Sequence, residues 1–272
     1  GACKGRVISG AVTHGDHNEN ALNPQEEAAG SALFCCAHAQ SDLTIDVREI
    51  SGAGDIPIKK IPCRVTHLER VADDVVIVKL QLPATERFQF LAGQYIEFLL
   101  KDGKRRAYSL ASAPHEEGPI GSFFLREDSN KPIIFIASGT GFAPIKSIIE
   151  HMRHKGLSRP IKLYWGGRRP KDFYHDSLCQ RWAKELPGFE YIPVVSDLLP
   201  EDQWNGKTGF VHQVAMQDIS DMSGYQVYAC GAPIVVESAR KDFVAHCSLP
   251  ADEFYADAFV SAADLAKKAP TP

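Results

Sequence analysis

No apolar run in the 272 residues approaches the roughly 18 needed to cross a bilayer, which excludes a helical membrane span. A charged-then-apolar leader is also missing. The chain opens on Gly1 inside a motif, so that absence says little about targeting, and the expected location is the cytoplasm. Basic charge is scarce as well: 30 Lys and Arg stand against 34 Asp and Glu, a net charge of −4. The deficit is concentrated in residues 1–55, where Lys4, Arg6 and Arg48 face eight acids. An acidic module on a near-neutral body excludes a nucleic-acid-binding surface. Seven cysteines are too few, in a chain this long, for a small secreted disulfide framework. Reduced thiols and metal ligands fit them better.

What the sequence does contain is strand–turn–helix punctuation. Ile133–Ala137 is an apolar run that enters Ser138-Gly139-Thr140-Gly141, and Pro144 then opens an amphipathic stretch, Ile145–Met152. This predicts a buried strand, a tight turn and a helix carrying proline in its first turn, where the missing N–H costs nothing. Gly139 and Gly141 let the backbone approach a ligand, and helix-start amides suit a pyrophosphate.

The pattern repeats. Ile161–Trp165 runs into Gly166-Gly167-Arg168, Tyr191–Val195 into Ser196-Asp197, and Tyr225–Ala229 into Cys230-Gly231-Ala232-Pro233. Four strands ending in such turns, with helix-like segments between them, predict a parallel nucleotide-binding sheet with its ligand beyond the carboxyl ends. Upstream, Cys63–Leu68, Val75–Leu82 and Gly93–Phe98 alternate as half-buried strands do, with Pro57, Pro62 and Pro83 as punctuation. Short strands at that spacing predict an antiparallel barrel.

Gly139-Thr140-Gly141-Phe142-Ala143-Pro144, Tyr164-Trp165-Gly166, Cys230-Gly231 and Phe254–Phe259 together resemble the NAD(P)H domain of the ferredoxin–NADP reductase superfamily. Arg105–Leu110 resembles that superfamily's flavin motif, Arg-x-Tyr-Ser. Gly1–Gly5 resembles the end of a plant-type ferredoxin cluster loop. The order is similar to that of CDP-6-deoxy-Δ3,4-glucoseen reductase-like proteins, and next to that of oxygenase reductase components. The resemblance implies a multidomain α+β and α/β architecture in three parts. These are a partial β-grasp [2Fe–2S] ferredoxin module over residues 1–50, a shortened FAD-binding barrel over 58–126, and a Rossmann-like NAD(P)H domain over 130–260.

Site residues follow from the same resemblance. Arg106 would pair with the flavin phosphate, Tyr108 would stack on the isoalloxazine, and Ser109 would hydrogen-bond near its N5. Thr140, flanked by Gly139 and Gly141, would meet the pyrophosphate and nicotinamide ribose. Cys230, before Gly231, would face the hydride-transfer carbon, as a packing and polarity element more than a nucleophile. Phe259 and Tyr255 would either stack on a cofactor or close the core. Ser196 and Asp197 would read the adenosine ribose. A carboxylate there accepts from a 2′-hydroxyl and repels a 2′-phosphate, which favours NADH, although Arg168 and Arg169 one strand away could welcome a phosphate. His14, His17, His151, His154 and His175 show no metal-ligand spacing and read as surface residues.

For the cluster, four thiolates are needed. The resemblance assigns Cys3 and Cys35 as two of them, with Cys36 a neighbour, and the first two would precede Gly1. A departure from the family lies after Ser112-Ala113-Pro114. There His115-Glu116-Glu117 passes directly to Gly118–Phe123, without the strands and phosphate-binding helix of the related proteins. The implied function is an NAD(P)H-dependent reductase that passes electrons through FAD to a [2Fe–2S] centre and then to a dehydrase or oxygenase partner. A free-flavin reductase and a redox-inert nucleotide-binding fragment are the alternatives.

Overall fold

The computed structural model describes residues 4–17, 22–46, 58–86, 88–100, 102–114 and 123–259. Two compact units divide at Pro57 and Ile58.

In the first unit, β1 (Lys4–Ser9) pairs antiparallel with β3 (Ser31–Leu33) and β5 (Thr44–Asp46), while β2 (Val12–His14) pairs with β4 (Ala37–Ala39). A short helix, α1 (Pro24–Ala28), is started by an Asn23–Glu26 capping box with Pro24 in the first turn. Lys4 reaches across to Glu26 at 2.8 Å.

The second unit opens with two antiparallel ladders, β6 (Arg64–Ala72) with β7 (Val75–Gln81) and β8 (Tyr95–Leu99) with β9 (Arg105–Ser109). The antiparallel class matches expectation, but the predicted half-burial does not. Val65 and Leu68 on β6 are 54% and 68% exposed, because among the described residues no third strand joins either ladder.

A six-stranded sheet follows, in the order β13-β12-β11-β10-β14-β15. Its members are β10 (Ile133–Ser138), β11 (Ile161–Gly167), β12 (Phe189–Val195), β13 (Lys207–Thr208), β14 (Gln226–Gly231) and β15 (Phe254–Ala258), all parallel. Four helices cover it: α2 (Phe142–Lys155), α3 (Asp176–Glu185), α4 (Val211–Asp218) and α5 (Pro233–His246). Strands β10 and β14 are buried on both faces, and that explains their unbroken apolar runs. One core layer joins Phe135, Ile145, Ile149 and Trp182; the other joins Ile134, Ile136, Val214 and Phe243. Ala92, Phe123 and Leu125 from the antiparallel lobe enter the first layer, so the two lobes share a core.

Candidate active site: two glycine turns and the end of β9

From β10 the chain moves to β11 and β12 on one side, then returns to β14 and β15 on the other. The reversal falls between β10 and β14, and a crevice forms at such a switch point beyond the carboxyl ends of the strands. Both predicted glycine turns stand there. A Cβ on Gly141 would lie 2.1 Å from the Cys230 carbonyl oxygen. One on Gly231, at φ +131°, would lie 2.3 Å from Ser138 Oγ. Neither position admits a side chain, so the two turns can meet backbone to backbone. Ser138 Oγ then accepts from the Ala232 amide at 2.9 Å.

Gly139 serves differently. Its φ is +53°, and a Cβ there would meet nothing within 4 Å, so its bare face opens onto space. The turn is held from behind by Trp165, whose indole Nε1–H donates to the Gly139 carbonyl at 3.1 Å. The Trp165 rings also stack on Phe142 at 4.1 Å. No side chain caps α2 at Gly141, the Phe142 amide turns back to the Gly139 carbonyl, and Thr140 stands exposed beside the turn. Open space beside a bare glycine at the start of a helix fits a dinucleotide pyrophosphate.

Cys230 is fully buried. Burial pushes its thiol well above the usual range, and Asp257, its register partner on β15, adds to the shift. The thiol therefore stays protonated and packs, which suits the polarity role expected of it and not a nucleophile's. Phe259 is half-buried against the core, its amide donating to the Gly231 carbonyl at 2.8 Å. Tyr255 lies against Tyr228 at 4.8 Å and bonds Glu253 at 2.9 Å, the core arrangement of the two alternatives.

The end of β9 arrives at the same place. Ser109 Oγ donates to Asp257 Oδ2 at 2.9 Å. Burial raises the Asp257 carboxyl above its usual range, and the Ser109 bond opposes that only in part. Lys146 Nζ donates to the Ala111 carbonyl at 3.1 Å and Ser147 Oγ to the Ser112 carbonyl at 2.5 Å. Helix α2 thereby holds the segment that follows Ser109. Tyr108 is 56% exposed and meets Phe98 in an edge-to-face arrangement with centroids 5.6 Å apart. Arg106 is exposed, and its guanidinium donates to the Arg105 carbonyl at 2.9 Å. Tyr108 and Ser109 fit a flavin ring. Residues 115–122, where the family's strands and phosphate-binding helix are expected to be missing, lie outside the described residues.

At the carboxyl ends of β11 and β12, Arg168, Ser196 and Asp197 are exposed neighbours: the Ser196 amide donates to the Gly167 carbonyl and the Asp197 amide to that of Arg168. Cys3 lies outside the described residues. Cys35 is exposed, and Cys36 is half-buried with its thiol donating to the Leu33 carbonyl at 3.5 Å. Among the described residues no three His, Cys, Asp or Glu side chains gather as a metal site would require. Sequence reasoning missed Asp257, Ser138 and Trp165. Asp257 had a visible signal, as an acid inside the aromatic run 254–259.

An oxidoreductase FAD-binding domain model matches residues 62–124, and an oxidoreductase NAD-binding domain model matches 135–241. The two lobes therefore define a flavin- and nicotinamide-dependent oxidoreductase. The chain is 39% identical to CDP-6-deoxy-L-threo-D-glycero-4-hexulose-3-dehydrase reductase of Yersinia pseudotuberculosis, over 96% of this chain and 86% of the relative. It is 30% identical to terephthalate 1,2-dioxygenase reductase component 1 of Comamonas, over 96% and 86%. The crystal structure of the Amycolatopsis cytochrome P450 reductase GcoB superposes with a TM-score of 0.72 at 29% identity, covering 96% of this chain and 87% of that one. The chain belongs to this ferredoxin reductase-like family of FAD- and NAD-binding electron-transfer reductases. The match to the Yersinia relative spans 293 positions against 272 residues here, an excess of 21. At least that many aligned positions of the relative have no counterpart in this chain. Among the described residues no helix is long and apolar enough to cross a membrane.

Proposed function

We propose that this protein takes electrons from NADH through FAD and delivers them, by way of a [2Fe–2S] centre in residues 1–50, to a partner enzyme. Residues 58–126 form the flavin lobe and 130–260 the nicotinamide lobe. The partner is a deoxysugar dehydrase or an oxygenase component, since the relatives' names describe both. When bound, NADH supplies a hydride and FAD converts the electron pair into single electrons.

The observation that carries the reading is the convergence of Ser109, Cys230 and Asp257 at the crevice. Gly139, Thr140 and Gly141 hold the pyrophosphate on backbone amides. Cys230 and Gly231 form a dry wall beside the nicotinamide, and Phe259 closes that wall. Tyr108 stacks on the flavin ring and Arg106 turns from the Arg105 carbonyl to the flavin phosphate. Asp257, its carboxyl raised by burial, accepts from Ser109 Oγ and fixes that side chain beside the flavin. Ser109 Oγ then keeps its acceptor lone pairs for the flavin. Arg168, Ser196 and Asp197 contact the adenosine ribose. Cys3 and Cys35 are two of the four cluster ligands.

Anaerobic reduction of FAD-reconstituted protein by NADH tests this, since Ser109→Ala should slow flavin bleaching while leaving NAD+ binding in place. A second reading, reduction of exchangeable flavin, is favoured by the exposure of Tyr108 and by the aligned positions with no counterpart here. Electron delivery to a partner protein, as against release of reduced flavin into solution, separates the two.

A further inference from the structure

The adenosine end of the crevice carries a charge arrangement that the sequence pattern did not reveal. Asp197, the acid expected to repel a 2′-phosphate, is not a lone carboxylate. Arg169 Nη1 stands 2.9 Å from Asp197 Oδ2, with the arginine side chain 23% exposed and the aspartate 64%. The contact is at ion-pair distance but out of line for a hydrogen bond, so Nη1 is a buried donor without a hydrogen-bond acceptor. A buried donor left in that condition is uncommon and calls for an explanation.

The backbone fixes the arrangement. Asp172 Oδ2 accepts from the Arg168 amide at 2.8 Å and the Arg169 amide at 3.0 Å. That carboxylate is thus occupied by main chain, and it sets the turn that aims Arg169 at Asp197. Arg168 is exposed, and no ion pair to its side chain is seen among the described residues. Lys171, next along, is drawn away by Asp73 at 2.6 Å.

We propose that Arg169 masks the charge of Asp197, so that the site admits a ribose 2′-phosphate on Arg168 as well as a 2′-hydroxyl on Asp197. This rests on the nucleotide-site reading above and determines which dinucleotide that site accepts. An unmasked carboxylate facing a 2′-phosphate is a like-charge contact, and at this exposed position its repulsion is real but screened. Paired with a guanidinium, it keeps a lone pair for a hydroxyl while its repulsion is cancelled. The free cation of Arg168 then meets the phosphate, as guanidinium groups do well.

The test is equilibrium binding of NAD+ and NADP+ by titration calorimetry, which needs no bound flavin. The wild-type protein should bind both, with affinities within about tenfold of each other. Arg169→Ala should shift the ratio against NADP+ by about tenfold or more. Arg169→Lys should restore most of it, and Asp197→Asn should shift it toward NADP+. All three contrasts should shrink in high salt, because the groups sit at the surface. A ratio unmoved by Arg169→Ala and Asp197→Asn overturns the mask and leaves the nucleotide site standing. Failure of the wild-type protein to bind either dinucleotide overturns both. Should Arg169→Ala fail to fold, Asp197→Asn alone decides: an unchanged ratio refutes the proposal.

Discussion

Ser109 and Asp257 lie 148 residues apart in sequence and meet through one hydrogen bond of 2.9 Å, which links the end of the flavin-side strand β9 to the last strand of the nicotinamide sheet. The bond joins the residue expected at the flavin N5 to a carboxyl that is itself the register partner of Cys230. Ser109→Ala and Asp257→Asn should each slow reduction of bound flavin by about tenfold, the loss expected when one positioning hydrogen bond is removed. Stopped-flow flavin bleaching measures this, and an unchanged rate in both variants would remove the pair from the mechanism.

The same carboxyl has a stability consequence. Burial raises Asp257 in the folded protein, so the native state holds its proton to higher pH than the unfolded chain does. Its contribution is therefore fully favourable below the ordinary aspartate range and is lost as pH rises through the raised value. Asp257→Asn keeps an oxygen that can accept from Ser109 and removes the charge. The variant should gain stability relative to wild type at pH 8, and the gain should vanish near pH 4. Urea midpoints at the two pH values check the sign.

Gly141 tests the crevice. Adding a Cβ 2.1 Å from the Cys230 carbonyl forces two backbones apart, and Gly141→Ala should cost about 1–3 kcal/mol of stability and most of the NAD+ affinity. Gly139→Ala has open space around its Cβ but a φ of +53°, so it should cost less stability. Thermal melts and NAD+ titration of both variants separate packing from ligand approach.

Much of the nicotinamide half was legible. The strand expected at Ile133–Ala137 runs from Ile133 to Ser138, and the helix begins at Phe142, which places Pro144 in its first turn. A doubly buried strand and a glycine turn leave local signatures, and four repeats of one pattern fix a parallel sheet. What the sequence concealed depends on partners far away in the chain. Asp257 gains meaning only from Ser109, Trp165 from the Gly139 carbonyl, and Arg169 from a carboxylate one strand over. Alternation in Cys63–Leu68 was a correct sign of a strand and a poor guide to burial, since burial of a face needs covering strands that are not among the described residues.

The cluster reading makes its own prediction. In a chain extended upstream to supply the first two ligands, Cys35→Ser should abolish the iron–sulfur visible spectrum, since it removes one of four thiolates. Cys36→Ser should leave it, in keeping with a thiol already turned to the Leu33 carbonyl. Loss with Cys36→Ser alone would move the ligand by one position.

The flavin lobe invites a quantitative expectation. Arg106 contributes one charged contact to a phosphate, on the order of 1.5–3 kcal/mol, against roughly 8 kcal/mol for micromolar affinity. The 272-residue chain should purify nearly colourless and bind added FAD weakly, and insertion of the family's strand–helix segment between His115 and Gly118 should tighten that binding. Fluorescence titration of FAD against both chains makes the comparison.

The most direct test of the whole account is anaerobic mixing of the protein with saturating FAD and one equivalent of NADH, followed by flavin absorbance. The account predicts bleaching that requires the wild-type protein and is slowed together in Ser109→Ala and Asp257→Asn. Flavin that stays oxidised at every protein concentration, although NAD+ binds, would contradict it.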